Sequence, residues 1–187
     1  MQHDSMRRAA LIGAVLILRM WVRADDAPAI DPAICREWFG EALQVAPMTL
    51  AETNAAVSEV TCNGHTAGWV FRTDQVPPVC KGKRGEIAVL VALGTDGRIK
   101  GLRVLSHKED PKYFGRLKAG FFQQFLNQRP DSDVKIDAVT QATYSSKAII
   151  SDVMDGAKLV IALPEVAAKV KRPEDCSLTK TATMPHN

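Results

Sequence analysis

The sequence contains no Cys-x-x-Cys, no Cys-x-x-Cys-His and no His-Glu-x-x-His. Those absences remove the usual spacings for structural zinc, attached haem c and zinc hydrolases. It also lacks a Gly-x-Gly-x-x-Gly fingerprint and any nucleophile and base at a recognisable spacing, which argues against a free-standing nicotinamide-dependent reductase. There is no basic stripe. The formal charge is +3, but residues 1 to 24 hold four Arg and one Asp, so the remainder carries 20 basic and 20 acidic side chains. A neutral domain offers nothing for a phosphate backbone, and nucleic acid is excluded as a partner. No internal repeat or low-complexity segment is present, and no apolar run reaches the ~20 residues that span a bilayer.

What is there fits one globular domain. At 187 residues, with 46% hydrophobic and 24% charged side chains, the chain can bury its own core. Met1 to Ala24 places Arg7-Arg8 before the apolar run Ala9 to Leu18, which Arg19 interrupts. This reads as a signal peptide, with a short membrane anchor as the alternative, and either reading puts residues 25–187 outside the cytoplasm. Cys35, Cys62, Cys80 and Cys176 form an even set compatible with disulfides in an oxidising compartment, and four cysteines allow three pairings. The spacings suggest no metal site.

Asp31-Pro32 opens a short amphipathic helix extending to about Leu43, with Asp31 as cap and Pro32 at the first helical position. Trp38 and Phe39 read as its core face. Residues 56 to 73 hold two β-prone runs around Asn63-Gly64-His65, which predicts a hairpin. Val76-Pro77-Pro78-Val79 then interrupts regular structure. A second hairpin joins Glu86 to Leu93 with Arg98 to Leu105 across Gly94-Thr95-Asp96-Gly97. Its first strand is apolar almost throughout, as for a strand covered on both faces. Tyr113 to Gln128 reads as a helix whose Phe114, Leu117, Phe121, Phe122 and Phe125 face the core. A strand end at Val134 to Ile136 leads into a hydroxyl-rich loop, Asp137 to Lys147, and then an apolar helix from about Ala148 to before Pro164. The polar tail from Lys169 to Asn187 reads as mobile.

That hydroxyl-rich loop is the focus of the chain. The first N–H groups of a helix are unpaired and carry partial positive charge, so its entrance favours an anion such as a phosphate. The competing reading is an ordinary cap supplied by Ser145 or Ser146.

At Asp137, Thr140, Ala142 and Thr143 the sequence resembles the FMN-binding domain family, which includes the G subunit of Rnf and the C subunit of the sodium-translocating NADH:quinone oxidoreductase. The family signature is Asp-x-x-(Ser/Thr)-Gly-Ala-(Thr/Ser), and Gln141 stands where Gly is commonest. Gly68-Trp69-Val70-Phe71-Arg72-Thr73 is similar to the strand that opens the family's domain. The second hairpin and its exit, His107-Lys108-Glu109-Asp110-Pro111, resemble the family's Asp-Gly turn, Val-rich strand and His-x-Glu-x-Pro. The glycines that commonly follow are replaced by Lys112-Tyr113-Phe114-Gly115-Arg116-Leu117. The resemblance covers roughly residues 68 to 163.

It implies an α+β fold, an antiparallel sheet with packed helices, and FMN joined to Thr143 by a phosphoester that a separate flavin transferase installs. Asp137, Thr140, Gln141, Ala142, Tyr144, Ser145, Ser146 and Glu109 are the implied cofactor neighbours, and His107 is a candidate proton relay. The implied function is an exported or tethered electron carrier working between membrane-associated redox proteins, the flavin supplying the chemistry. The alternative is a non-covalent or flavin-free sensory or assembly module of the same fold.

Overall fold

The computed structural model describes residues 30–50, 55–117 and 119–171. The leader at 1–24 and Cys176 lie outside them. The elements run α1 (Pro32–Phe39), β1 (Leu43–Pro47), β2 (Val57–Cys62), β3 (His65–Arg72), β4 (Ile87–Gly94), β5 (Ile99–His107), α2 (Pro111–Phe114), α3 (Ala119–Gln123), α4 (Thr143–Ala162) and α5 (Pro164–Ala167). All five strands pair antiparallel in the order β1-β2-β3-β4-β5, a meander. This is an α+β fold.

The sheet is the middle of three layers. Every residue of β4 is buried, as the apolar run predicts. Ile87, Val89, Val91 and Leu93 face α4 together with Trp69 and Phe71, against Ile149, Val153, Ala157 and Val160. Leu90, Ala92, Val70 and Val60 face the other way, toward Cys35, Ile34, Trp38 and Phe39 of α1. Each fully buried Val or Leu contributes about 1.5–3 kcal/mol, so the two-sided β4 is the main seam of the core.

α1 starts where the sequence predicts: Asp31 accepts from the Ala33 N–H at 2.8 Å and Pro32 follows. It seats on the sheet through two glycines. A Cβ on Gly101 would collide with the Trp38 indole, and one on Gly68 would collide with the Leu93 carbonyl oxygen of β4 and lie 2.7 Å from Phe39 Cε1. The helix ends at Gly40 (φ 91°), earlier than expected, and Leu43 opens the edge strand β1.

Other expectations need correction. Val134 to Ile136 form no strand; the Val134 N–H donates to Ser132 O at 2.9 Å, and just beyond the segment the Asp137 N–H donates to Gln124 Oε1 at 2.9 Å. The helix expected over Tyr113 to Gln128 is broken into α2, α3 and turns. Glycines at 115 and 120 weaken it, Asn127 takes φ 62°, and the chain returns to the sheet, where Ile99 N–H donates to Gln128 O and Asn127 N–H to Ile99 O. The Phe spacing still serves the core: Leu117, Phe121 and Phe125 are buried, and Phe125 meets Phe121 edge-on. The first residues of the expected mobile tail are held, Lys169 on Glu59 and the Lys171 N–H on Thr95 O. Among the described residues Cys35, Cys62 and Cys80 form no disulfide. Among the described residues no helix is long and apolar enough to cross a membrane.

Candidate functional site

Helix α4 begins at Thr143, five residues earlier than its apolar periodicity suggests, so the last part of the hydroxyl-rich segment is its first turn. Ala142 occupies the cap position, and no side chain caps the helix. The two serines are used otherwise. Ser146, fully buried, accepts from the Val139 N–H at 3.0 Å and donates to Thr143 O at 3.2 Å. Ser145, also buried, donates to Glu109 Oε2 at 2.5 Å. The cap reading of these two residues is therefore overturned, and the helix entrance keeps its unpaired N–H groups.

The approach to that entrance is a tight turn. The Ala142 N–H donates to Val139 O at 3.0 Å across Thr140 and Gln141, and Gln141 has φ 65°. A positive φ at the third position of a turn is the glycine-favouring conformation, so Gln141 adopts the backbone that a glycine would take. The left-handed placement costs a side chain roughly 1–2 kcal/mol. Ala142 is buried in the core, where a larger side chain would not fit without displacing it. Asp137, Thr140, Gln141, Thr143 and Tyr144 are exposed, Tyr144 at 73%. The Thr143 hydroxyl makes one long contact, 3.5 Å to Val139 O, and is open to solvent.

Glu109 is the buried anchor of the site, 6% exposed. It accepts from Ser145 and, at 2.6 Å, from the Arg84 N–H. Burial alone would push its carboxyl up, but the hydrogen bonds from Ser145 and from the Arg84 and Lys83 backbone N–H groups outweigh it and hold the carboxyl below its ordinary value. Gly82 makes room, since a Cβ there would sit 2.8 Å from Glu109 Oε1. His107, by contrast, is exposed and stacks on Phe114, ring centroids 3.6 Å apart.

Two contributors escape a reading of the sequence alone. The 82–85 turn reaches Glu109 only through the fold, although its glycines are a turn signal. Lys147 follows Thr143 by four residues, hence on the same helix face, and lines a shallow groove of about 370 Å³ with Ile136, Ala138, Ile150, Met154 and, at its polar end, Ser151 and the Asp155 carboxylate. That volume lies within the range of small-molecule sites, about 300–1,000 Å³. A second buried carboxyl, Asp152, accepts from the Cys80 N–H at 2.7 Å; burial pushes it up, and nearby Asp155 and Glu86 add to the shift.

An accessible hydroxyl, uncapped helix N–H groups, a cation one turn on and a partly apolar groove suit a phosphate joined to a flat ring system. The donor set thus fits FMN. Among the described residues no group of three or more His, Cys, Asp or Glu side chains is placed to hold a metal ion. Residues 82–158 match the model of the FMN-binding domain family, a span running from the Gly82 turn through Glu109 to helix α4. No curated protein matches the chain.

Proposed function

We propose, taking the FMN-binding domain at residues 82–158 as premise, that the protein is an extracytoplasmic electron carrier holding FMN through a phosphoester on Thr143. The observation that carries this reading is the position of Thr143: an exposed hydroxyl at the first residue of an uncapped helix, after a left-handed Gln141. Bound FMN supplies one- and two-electron transfer. The chain's own residues supply the rest. The helix N–H groups and Lys147 would stabilise the phosphate charge, Ile150 and Met154 would offer apolar surface to the ring, and the Ser145–Glu109 bond fixes the helix entrance.

The apolar leader supports export, and covalent attachment suits a compartment in which a dissociated cofactor is lost. A flavin transferase is the maturation partner and membrane-associated redox proteins are the electron partners on this reading. Co-expression with a flavin transferase, followed by denaturing electrophoresis with in-gel fluorescence and intact-mass measurement, tests it. A fluorescent band with the added mass of FMN, absent from Thr143→Ala, is expected. Colourless protein sinks the proposal. Flavin that copurifies but leaves on denaturation favours the non-covalent alternative, for which the exposed Gln141 side chain beside Thr143 is the specific support.

A further inference from the structure

Around the 82–85 turn the exposed side chains are mostly basic. Lys83 and Lys112 both lie over the ring of Tyr113, their ammonium groups 5.8 and 5.9 Å from its centroid. The Lys108 stem runs along the same turn, with its Cδ 3.9 Å from where a Cβ on Gly85 would be. Arg84 completes the group. All four cations are exposed. Three carboxylates lie near them: exposed Glu86 just past the turn, buried Glu109, taken up by the Arg84 N–H at 2.6 Å and by Ser145, and Asp110, which contacts Arg84 at 3.3 Å and caps α2 through the Lys112 N–H at 2.9 Å. Lys83, Lys108 and Lys112 form no ion pair among the described residues.

Like charges held this close repel unless a partner neutralises them. The patch also adjoins the site directly, because the Arg84 N–H and the Ser145 hydroxyl of α4 meet on Glu109.

We propose that Lys83, Arg84, Lys108 and Lys112, gathered at the 82–85 turn and the start of α2, form the docking surface for an acidic protein that exchanges electrons with this one. The identity of the partner as a redox protein rests on the electron-carrier reading; the docking chemistry does not. A protein surface fits better than a lipid surface. Tyr113 is 40% exposed, but the ammonium groups of Lys83 and Lys112 lie over its ring, and the other patch side chains are charged, a composition suited to a hydrated acidic protein surface rather than to the apolar interior of a bilayer. An exposed tyrosine is also a common interface anchor. Complementary charge would raise the association rate and make it depend on salt.

The test uses the full-length chain without flavin and soluble cytochrome b5, a small acidic haem protein, as probe. Binding is measured by biolayer interferometry, beside vesicles of phosphatidylglycerol. The triple variant Lys83→Glu, Lys108→Glu, Lys112→Glu is expected to weaken cytochrome b5 binding by at least about tenfold, as is raising salt from about 0.05 to about 0.3 M. The Lys83→Gln, Lys108→Gln, Lys112→Gln variant guards against misfolding and should show a smaller loss. Lys158→Glu, exposed on α4, should change nothing. Unchanged binding in both triple variants overturns the proposal, and so does capture by vesicles with no binding to cytochrome b5. Because these arms use flavin-free protein, failure of attachment at Thr143 leaves their outcome untouched. With flavin-loaded protein, the triple variant should slow cytochrome b5 reduction and leave dithionite reduction of the carrier unaltered.

Discussion

The hydroxyl of Ser145 donates to the carboxylate of Glu109 across 2.5 Å, tying the first turn of α4 to the bend that follows β5. Both groups are buried, and the carboxylate also serves the Arg84 N–H. Glu109→Gln replaces one acceptor oxygen with an amide that must face donors, leaving a buried donor unsatisfied at a cost of about 1–3 kcal/mol. Urea denaturation at neutral pH measures the loss. A variant as stable as the parent removes Glu109 from its role as anchor.

The same carboxylate gives the protein an acid limb. Its folded-state value is held below the unfolded one, so its stabilisation is complete above the unfolded value and is lost as pH falls through the folded value. A stability series descending from pH 6 should fall more steeply for the parent than for Glu109→Gln. Parallel curves contradict the assignment.

Asp152 has the opposite sign. Its value is raised by burial, so the penalty is absent below the ordinary carboxylate range and grows as pH rises through the raised folded value. Asp152→Asn keeps an oxygen for the Cys80 N–H and removes the buried charge. The variant should melt higher than the parent at pH 8, with the gap closing toward pH 4. A lower melting point at pH 8 rules this out.

Gln141→Gly relieves the left-handed strain, offset in part by the freedom that glycine adds to the unfolded chain. A net gain of about 0.5–1 kcal/mol is expected, whereas Gln141→Val, stiff at Cβ, should lose more than about 1 kcal/mol. Thermal melts of the two variants should bracket the parent.

Thr143→Ala should leave stability within about 0.5 kcal/mol, because the side chain is exposed and its one hydrogen bond is 3.5 Å long. Loss of flavin in a variant that melts like the parent therefore reports on attachment alone. Thr143→Ser, which keeps the hydroxyl, should retain the flavin.

Local chemistry explains what could be read beforehand. Asn63-Gly64 and Asp96-Gly97 between β-prone runs mark both hairpins, and the apolar run of β4 announces cover on two faces. Motif spacing also singled out Glu109 and Thr143, and the fold joins Glu109 to the helix turn that Thr143 opens. The start of α4 was not, because Thr143, Tyr144 and Ser145 are indifferent helix formers and Ala142 is no cap. The Phe spacing from 114 to 125 gave the right core face and the wrong backbone, since periodicity does not register the return to β5 through Asn127. The partnership of Glu109 with the 82–85 turn depends on β4 and β5 bringing together residues 25 apart in sequence.

The two glycines beneath α1 carry a further implication. Sheet and helix meet there as key and lock: Trp38 fills the space over Gly101 and Phe39 the space over Gly68. A helix slid by one turn would set other residues above those hollows and leave both unfilled, losing dispersion contacts on either side. Missing methyl groups thus index the helix to a single position, and the same atoms that make the seat fragile to Gly101→Ala make it unambiguous.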